Sequence, residues 1–251
     1  MRILVTFALP EEFASWRKRS GFRLARNGGG RIFRRLPADT EVAVLLTGAG
    51  AANAARQTRA ALEAEPYDLV ISSGFAGGLR PEHRPRAILV ARSVRRHEDG
   101  AQLPVAGEWL ERARRLGARA AVFVTANRVA VTAEEKRGLG AAADAVEMES
   151  FAVVAEAAAR GIAAMAIRAV NDPVEWDLPV DFNRVFDGGG NWRAAKLAAE
   201  LARRPTAIPG LWRLARESRR AAGELGEFLE LYVSAAAAVG RGEEAGITAG
   251  R

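Results

Sequence analysis

Short apolar runs alternate with amphipathic segments along most of this chain. The runs Arg2–Phe7, Leu69–Ser73 and Ala163–Val170 consist largely of apolar residues, as strands do when both faces of their sheet are covered. Helical patterns lie between these runs, and parallel strands need such crossover segments. The pattern therefore predicts an α/β fold of three layers, in which helices flank a central twisted mixed β-sheet.

The remaining segments extend this alternation. The turn Pro37-Ala38-Asp39-Thr40 separates two strand-like runs and predicts a hairpin. Gly161 follows a helical pattern, at a position where glycine commonly ends a helix. Further strands are predicted at Arg31–Leu36, Glu41–Thr47, Ala87–Val94 and Ala120–Thr125, and helices at Pro10–Arg19, from Gly50 to Glu65, at Glu108–Leu116 and at Ser150–Arg160.

The last fifth of the chain is predicted to be helical. A first helix covers Asn191–Arg203, and after two prolines a long helix runs from about Leu211 to Ala238. Apolar residues recur three and four positions apart along the long helix, which predicts packing on the domain or on a second subunit. Its other side carries Arg213, Arg216, Arg219 and Arg220. Peripheral contact with a membrane surface is therefore the alternative.

Length and composition bound the organisation of the chain. Its 251 residues, 49% of them hydrophobic, suffice for one sizeable core. We expect a main domain over residues 1–190, a helical extension packed on it over 191–239, and a disordered, glycine-containing tail over 240–251. The apolar run Ile3–Leu9 is too short for a membrane span or a signal peptide, so we expect a cytoplasmic protein.

Several classes of site are disfavoured by composition. The chain has no cysteine, which excludes disulfides and thiolate metal sites, and two histidines argue against a His-rich zinc site. The net charge of +7 comes from arginines spread along the chain, with 7% aromatic residues and no nucleic-acid motif. We therefore predict neither a metal site nor specific nucleic-acid binding, and the charge leaves attraction of anionic substrates open.

Carboxylates follow two of the predicted strands. Glu147 and Glu149 come after an apolar run, and Asp172 follows Ala163–Val170 directly before a proline, which biases the aspartate backbone towards the extended region. Open α/β sheets bind ligands outside the carboxyl ends of their strands. Acidic groups meeting there suggest one that binds a polyol and another that transfers a proton.

Two glycine-rich segments have different implications. Gly48-Ala49-Gly50 lies between a strand and a helix, but Asn53 stands where a dinucleotide-binding fingerprint has its third glycine. We therefore do not predict a dinucleotide cofactor. Gly74–Gly78 is predicted as a turn whose backbone comes close to a ligand and whose amides face an oxygen, with a tight connection between strand and helix as the alternative.

Five short motifs follow one another along Met1–Val174. They are Pro10-Glu11-Glu12, Thr47–Gly50, Ser73–Leu79, Val146–Glu149 and Arg168–Asp172. In this order they resemble the purine nucleoside phosphorylase/nucleosidase superfamily, most of all its methylthioadenosine/S-adenosylhomocysteine nucleosidase branch. The helical C-terminus is more similar to the hopanoid-associated phosphorylases of the same superfamily, which act on adenosylhopane.

The resemblance implies cleavage of the N-glycosidic bond of a purine nucleoside, with adenine as the expected base. It assigns Asp172 as the acid near purine N7, Glu12 as the base for the attacking water, and Glu149 as the ligand of the ribose hydroxyls. Met148 would pack on the ribose and Glu147 would support the site. The base and substrate pocket would include Gly74, Phe75, Ala76, Gly77 and Asn171. The resemblance implies no metal or organic cofactor and a homodimer or larger homo-oligomer.

Hydrolysis is favoured over phosphorolysis at the level of sequence. Phosphorylases of the superfamily flank the glycine of the second glycine-rich segment, Gly74–Gly78, with arginine and serine, whereas Ser72 and Phe75 stand at these positions. Phe75 and Asn171 also replace the small residue and the serine usual in nucleosidases, so base or 5′-substituent preference is expected to differ. Phosphorolysis, with inorganic phosphate as co-substrate, and a non-catalytic nucleoside-binding module are the alternatives. Candidate phosphate ligands are Arg56, Arg84 and Arg128.

Overall fold

Ten strands form one mixed sheet in the computed structural model, which describes residues 1–27, 30–36, 40–105, 107–187, 190 and 193–240. The strands are β1 (Arg2–Phe7), β2 (Arg23–Asn27), β3 (Gly30–Arg35), β4 (Glu41–Leu46), β5 (Leu69–Gly78), β6 (Ile88–Arg96), β7 (Gln102–Pro104), β8 (Arg119–Thr125), β9 (Ala145–Glu147) and β10 (Ala163–Asp172). The helices are α1 (Pro10–Ser20), α2 (Ala51–Ala64), α3 (Gly107–Arg115), α4 (Ala133–Gly140), α5 (Ser150–Ala158), α6 (Phe182–Val185), α7 (Ala194–Arg203) and α8 (Ile208–Gly240).

The sheet combines a parallel centre with a small five-stranded barrel. Strand β1 pairs in parallel with β4 and β5, and β5 pairs in parallel with β10. Strands β2 and β3 extend the β4 edge as antiparallel hairpin strands. On the other side β10 pairs with β6, β6 with β8, β8 with β9, and β9 returns to β5. These five strands form a closed ring, so the ends of β5, β9 and β10 converge.

Helices cover both faces of the sheet because its central strands are apolar on both sides. Along β1, Ile3 and Val5 join the core on the side of α1, α3 and α8, while Leu4 joins the core on the side of α2 and α5. This alternation follows from the two-residue period of a strand. The three-layer α/β architecture predicted from the sequence is thus confirmed.

Helix α8 belongs to the first of these cores. Leu225, Leu229 and Tyr232 are fully buried in it, and the Tyr232 hydroxyl donates to the carbonyl of Trp109 over 3.2 Å. On α1, the indole of Trp16 donates to Glu230 of α8 over 2.7 Å. Among the described residues, no helix combines the length and the apolar composition that a membrane span requires.

Three differences from the predicted elements concern the site. Gly74–Gly78, predicted as a turn, instead continues β5 and pairs with β10 and β9. Strand β10 extends to Asp172 through a bulge at Asn171. Helix α4 was not predicted, although Thr132 and Glu135 form a capping box at its start. The hairpin turn at 37–39 and most of the expected tail, 241–251, lie outside the described residues.

Candidate active site

Glu12 lies in the first turn of α1 and is buried against β5. Its Oε2 accepts from the amide of Leu9 and its Oε1 from the amide of Phe75, both over 2.9 Å. Gly74 makes this approach possible, because a Cβ at that position would lie 2.5 Å from Glu12 Oε1. Burial raises the pKa of Glu12, although the charge of Arg168 and the backbone amides oppose the shift.

Arg168 is the central cation of the site and is itself fully buried on β10. Its Nη2 lies 2.6 Å from Glu147 Oε2 and 3.6 Å from Glu149 Oε2. The same nitrogen donates to the hydroxyls of Ser72 and Ser150. A buried guanidinium is tolerated only with such compensation, so Arg168 fixes the positions of the two glutamates.

Glu147 ends β9 and holds the start of α5. Its Oε2 accepts from the amides of Glu149 and Ser150, over 3.0 and 2.7 Å, and its Oε1 accepts from the Thr125 hydroxyl. Burial alone would raise the pKa of Glu147, but Arg168 and these donors hold it below the ordinary value. Glu147 is therefore an ionised, fully bonded group that joins three elements.

Glu149 is the N-cap residue of α5 and has a freer carboxylate. Its Oε1 accepts from the amide of Gly50 over 2.8 Å. Burial and then the neighbouring charge of Glu147 raise its pKa to about 8. Met148, between the two glutamates, is half-buried. Glu149 lies two residues beyond Glu147, the last residue of β9, so the side-chain alternation of a strand does not set its direction.

Asp172 lies at the end of β10, beyond the bulge. It is buried beside Gly77, where a Cβ would lie 3.3 Å from Asp172 Oδ2. The same oxygen lies 2.6 Å from the ammonium nitrogen of Lys136, a residue with no solvent exposure. Burial raises the pKa of Asp172, and Lys136 opposes the rise.

The predicted pocket residues line the same strand ends. Phe75 is half-buried and packs on the core beside α8, and Ala76 is buried. The Asn171 amide lies 3.5 Å from the Ser218 hydroxyl of α8, so the C-terminal helix reaches the residue next to Asp172. The three arginines predicted as phosphate ligands are exposed at the surface, and two of them bind neighbours, Arg56 to Asn53 and Arg128 to Glu135.

The structure thus brings Glu12 and Asp172 to one stretch of β5, and Glu147 and Glu149 to Arg168 on the adjoining strand β10. Gly74 contacts Glu12 and Gly77 contacts Asp172, and three residues of strand span about 10 Å. Sequence reasoning gave no role to Arg168, although it lay within a motif, and did not identify Lys136. The capping box before α4 was the signal that could have placed Lys136 on a helix. In the described ranges, no group of three or more His, Asp or Glu side chains is arranged to hold a metal ion.

The arrangement can perform acid–base chemistry on a ligand lying along β5. One end offers a buried base, Glu12, and the other a buried acid, Asp172. Glu149, between loop 48–50 and Arg168, can accept hydrogen bonds from hydroxyl groups. Burial favours the proton-bearing form of all three and so brings their proton affinities closer to neutral pH, where general acid–base catalysis is effective.

Known proteins share both sequence and fold with this chain. A sequence profile of the Phosphorylase superfamily matches residues 2–203. The futalosine hydrolase of Streptomyces coelicolor is 33% identical over 159 residues, which are 52% of this chain and 67% of that protein.

Solved structures of low sequence identity show the same fold. A futalosine hydrolase mutant of Helicobacter pylori superposes with a TM-score of 0.72 at 17% identity, over 94% of this chain and 99% of its own. The 5′-methylthioadenosine/S-adenosylhomocysteine nucleosidase of Helicobacter pylori gives a TM-score of 0.74 at 18% identity, over 94% and 98% of the two chains. Since the profile match spans most of the sequence, the chain belongs to the phosphorylase superfamily.

Proposed function

We propose that this protein hydrolyses the N-glycosidic bond of a purine nucleoside. The observation that carries the proposal is the placement of three carboxyl groups. Glu12 and Asp172 are buried against Gly74 and Gly77 of β5, and the partly buried Glu149 lies 3.6 Å from Arg168 of the adjoining strand β10. In the reaction the bond between the anomeric carbon and purine N9 breaks, and its electron pair remains with the purine. Water adds to the anomeric carbon and gives up one proton to Glu12.

Asp172 is the proton donor to the leaving purine. Bond cleavage makes the base more negative, and a proton delivered to N7 neutralises that charge. A carboxyl group whose pKa is raised by burial, as that of Asp172 is, retains its proton closer to neutral pH. General acid catalysis of this kind is worth about 10²–10⁴-fold in rate.

Glu12 and Arg168 are suited to hold the attacking water. Glu12 Oε1 and Oε2 are fixed by two backbone amides, which directs their remaining lone pairs. Arg168 has two buried nitrogens, Nε and Nη1, without a hydrogen-bond partner among the described residues. Leaving such donors unpaired is costly, and a bound water or hydroxyl would satisfy them.

Glu149 binds the ribose hydroxyls in this proposal, and Met148 packs on the sugar. In its ionised form Glu149 accepts from both hydroxyls, which orients the ribose and stabilises positive charge at the anomeric carbon. Because its pKa is raised to about 8, this form becomes more populated as the pH rises towards 8. Glu147 has the supporting role, because its two oxygens are already occupied by Arg168, Thr125 and two amides.

Water is favoured over phosphate as the nucleophile by the charges around Arg168. Phosphorylases bind a dianion with arginines and amides, but Arg168 already faces Glu147 and Glu149. A phosphate placed there would meet carboxylates of the same charge. Phosphorolysis remains the alternative that the assay below tests.

The substrate is proposed to be an adenine nucleoside or a close purine analogue. The relatives named above suggest two starting compounds, methylthioadenosine and futalosine. Phe75 and Asn171 replace residues that are common in nucleosidases and border the base pocket, so they are the positions at which preference would differ. Adenosylhopane is the further candidate, on the similarity of the C-terminus alone.

Assembly and location are also proposals. We propose a homodimer or larger homo-oligomer without metal or organic cofactor. A cleft of about 330 Å³ between α2 and α5 is lined by several alanines and by Thr125, whose hydroxyl binds Glu147, and a second copy seated there would enclose the site. As for location, we propose that the protein is cytoplasmic and does not bind nucleic acid. Exposed Trp212 and the arginines of α8 support peripheral membrane contact as the alternative to a freely diffusing enzyme.

The deciding experiment measures base release and sugar product with and without inorganic phosphate. Methylthioadenosine, S-adenosylhomocysteine, adenosine, inosine and futalosine are each incubated with the purified protein. Hydrolysis gives free sugar at a rate independent of phosphate. A phosphate requirement with a sugar 1-phosphate product would establish phosphorolysis instead. No cleavage of any of these five nucleosides would leave two alternatives, cleavage of adenosylhopane and the binding module.

A further inference from the structure

Lys136 has a buried ammonium group whose three N–H bonds all have acceptors. The side chain has no solvent exposure, and its nitrogen lies 2.6 Å from Asp172 Oδ2. It also donates to the carbonyls of Pro173 and Trp176, over 3.0 and 2.7 Å. A buried cation is stable only when paired and hydrogen-bonded, so Lys136 holds both the Asp172 carboxylate and the backbone that follows it.

The choice of lysine is specific in this chain. Lysine occurs only three times, at Lys18, Lys136 and Lys196, whereas arginine supplies the other cations. An ammonium group presents three donors to three separate acceptors, while a guanidinium group is larger and planar. The compact geometry around Asp172, Pro173 and Trp176 matches the ammonium group.

Helix α4 is itself anchored against the segment after Asp172. The Ala133 amide in its first turn donates to Asp177 over 2.7 Å, and the Leu178 amide donates to the carbonyl of Val131 over 2.8 Å. Lys136, on the same helix, adds buried hydrogen bonds to Pro173 and Trp176 of this segment. The position of Asp172 is therefore set from outside β10, by a helix that carries none of the other proposed site residues.

We propose that Lys136 is a positioning residue for Asp172, the leaving-group acid. Lys136 binds Asp172 Oδ2, and this contact leaves Oδ1 to face the purine. This inference rests on the proposed nucleoside cleavage and adds a residue to it. Around Asp172, β5 and β9 contribute uncharged Gly77 and Val146, and α8 contributes the Ser218 hydroxyl bound to Asn171.

Lys136 is the one ionisable partner recorded for Asp172 among the described residues. Of the remaining charged groups of the site, Glu147 and Glu149 contact Arg168, and the charge of Arg168 also acts on Glu12. Removal of the Lys136 charge therefore acts on Asp172 first, and it favours the protonated carboxyl group.

The test compares Lys136→Met with the wild-type protein over a range of pH. Loss of orientation should lower kcat by roughly ten- to a hundredfold, part of the value of a general acid. Because the neutral variant favours protonated Asp172, the alkaline limb of kcat/KM should move to higher pH. Lys196→Met removes an exposed lysine that donates to one carbonyl and should change neither quantity. If Lys136→Met melts below the assay temperature, Lys136→Gln, which keeps donors for the carbonyls, replaces it.

A double-mutant cycle separates positioning from a merely structural effect. In Asp172→Asn the carboxyl group is absent, so Lys136→Met should cost at most about twofold more, since residues in one network are not additive. The inference would be overturned if the two substitutions lowered kcat by independent, multiplying factors, or if the alkaline limb of kcat/KM did not move in Lys136→Met. Either result would leave the proposed nucleoside cleavage intact. A wild-type protein that cleaves no nucleoside would overturn both.

Discussion

Two glutamates separated by a single residue have pKa values shifted in opposite directions in this site. Glu147 lies 2.6 Å from Arg168 and accepts two helix-start amides, so its pKa is lowered despite burial. Glu149 is 1 Å farther from the same guanidinium nitrogen, at 3.6 Å, and the charge of Glu147 adds to burial in raising its pKa. One arginine thus separates a structural carboxylate from one that is available to a ligand.

Asp172→Asn should lower kcat at least a hundredfold, because the amide cannot deliver a proton to the purine. The fold should persist, since the amide oxygen still accepts a hydrogen bond from Lys136. Base release measured by absorbance, with circular dichroism on the same sample, checks this prediction. Glu175→Gln changes an exposed carboxylate on the following segment and should keep near-wild-type activity. Near-normal turnover in Asp172→Asn would remove Asp172 from the acid role.

Glu149→Gln should change how stability depends on pH. The folded protein holds the Glu149 proton up to about pH 8, whereas the unfolded chain releases it near the ordinary value. Ionisation therefore costs the wild-type protein stability as the pH rises between those two values. Relative to wild type, the Tm of Glu149→Gln should rise progressively from pH 5 to pH 9 in scanning calorimetry. A Tm difference that stays constant over this range would contradict the raised pKa.

Strand β5 carries the site because glycine lets two carboxylates approach it. At Gly74, φ is +143°, and an added Cβ would lie 2.5 Å from Glu12 Oε1. Gly74→Ala should cost roughly 1–3 kcal/mol of unfolding free energy and more than tenfold in kcat, because Glu12 must move. Gly138→Ala is the matched control, since it lies in α4 with open space around it and gains helix propensity. Urea denaturation and base release measure both variants.

Helix α8 approaches α1 closely at another glycine. A Cβ on Gly226 would lie 3.1 Å from the Trp16 amide nitrogen, whereas one on Gly223 would lie 3.7 Å from the end of Arg19. Both alanine variants gain about 1 kcal/mol of helix propensity, but only Gly226→Ala meets backbone, at a cost of about 1–3 kcal/mol. Gly223→Ala should therefore be the more stable variant in urea. An equal increase in unfolding free energy in the two variants would show that α1 and α8 can move apart at Gly226 at no energetic cost.

Sequence patterns predicted elements where local and tertiary forces agree. The strand Arg2–Phe7 was predicted with the bounds that the structure gives to β1, because a continuous aliphatic run has one favourable environment. Gly74–Gly78 was predicted as a turn because its three glycines favour turns, but pairing with β9 and β10 holds this segment extended. No periodic pattern reveals the contact of Lys136 with Asp172, since it depends on two elements meeting in space.

The whole molecule shares one core between the sheet and its C-terminal helix. Leu225, Leu229 and Tyr232 of α8 pack with Ile3 of β1 and Trp109 of α3 in a single cluster. The sequence predicted a division of the chain between residues 190 and 191 into a main domain and a helical extension. In the structure, α8 of the extension packs in the same core as strands and helices of the main domain. Since buried contacts are shared, we expect the catalytic strands and α8 to unfold together.

Leu229→Ala tests that expectation. Removal of a fully buried leucine should lower the unfolding free energy by about 2–5 kcal/mol, whereas Leu231→Ala, on the exposed side of α8, should change it by less than about 0.5 kcal/mol. In urea, helical circular dichroism and base release should be lost at the same midpoint in each protein. Activity that survives the loss of α8 helicity would show that strands β1, β5 and β10 hold the site without the C-terminal helix.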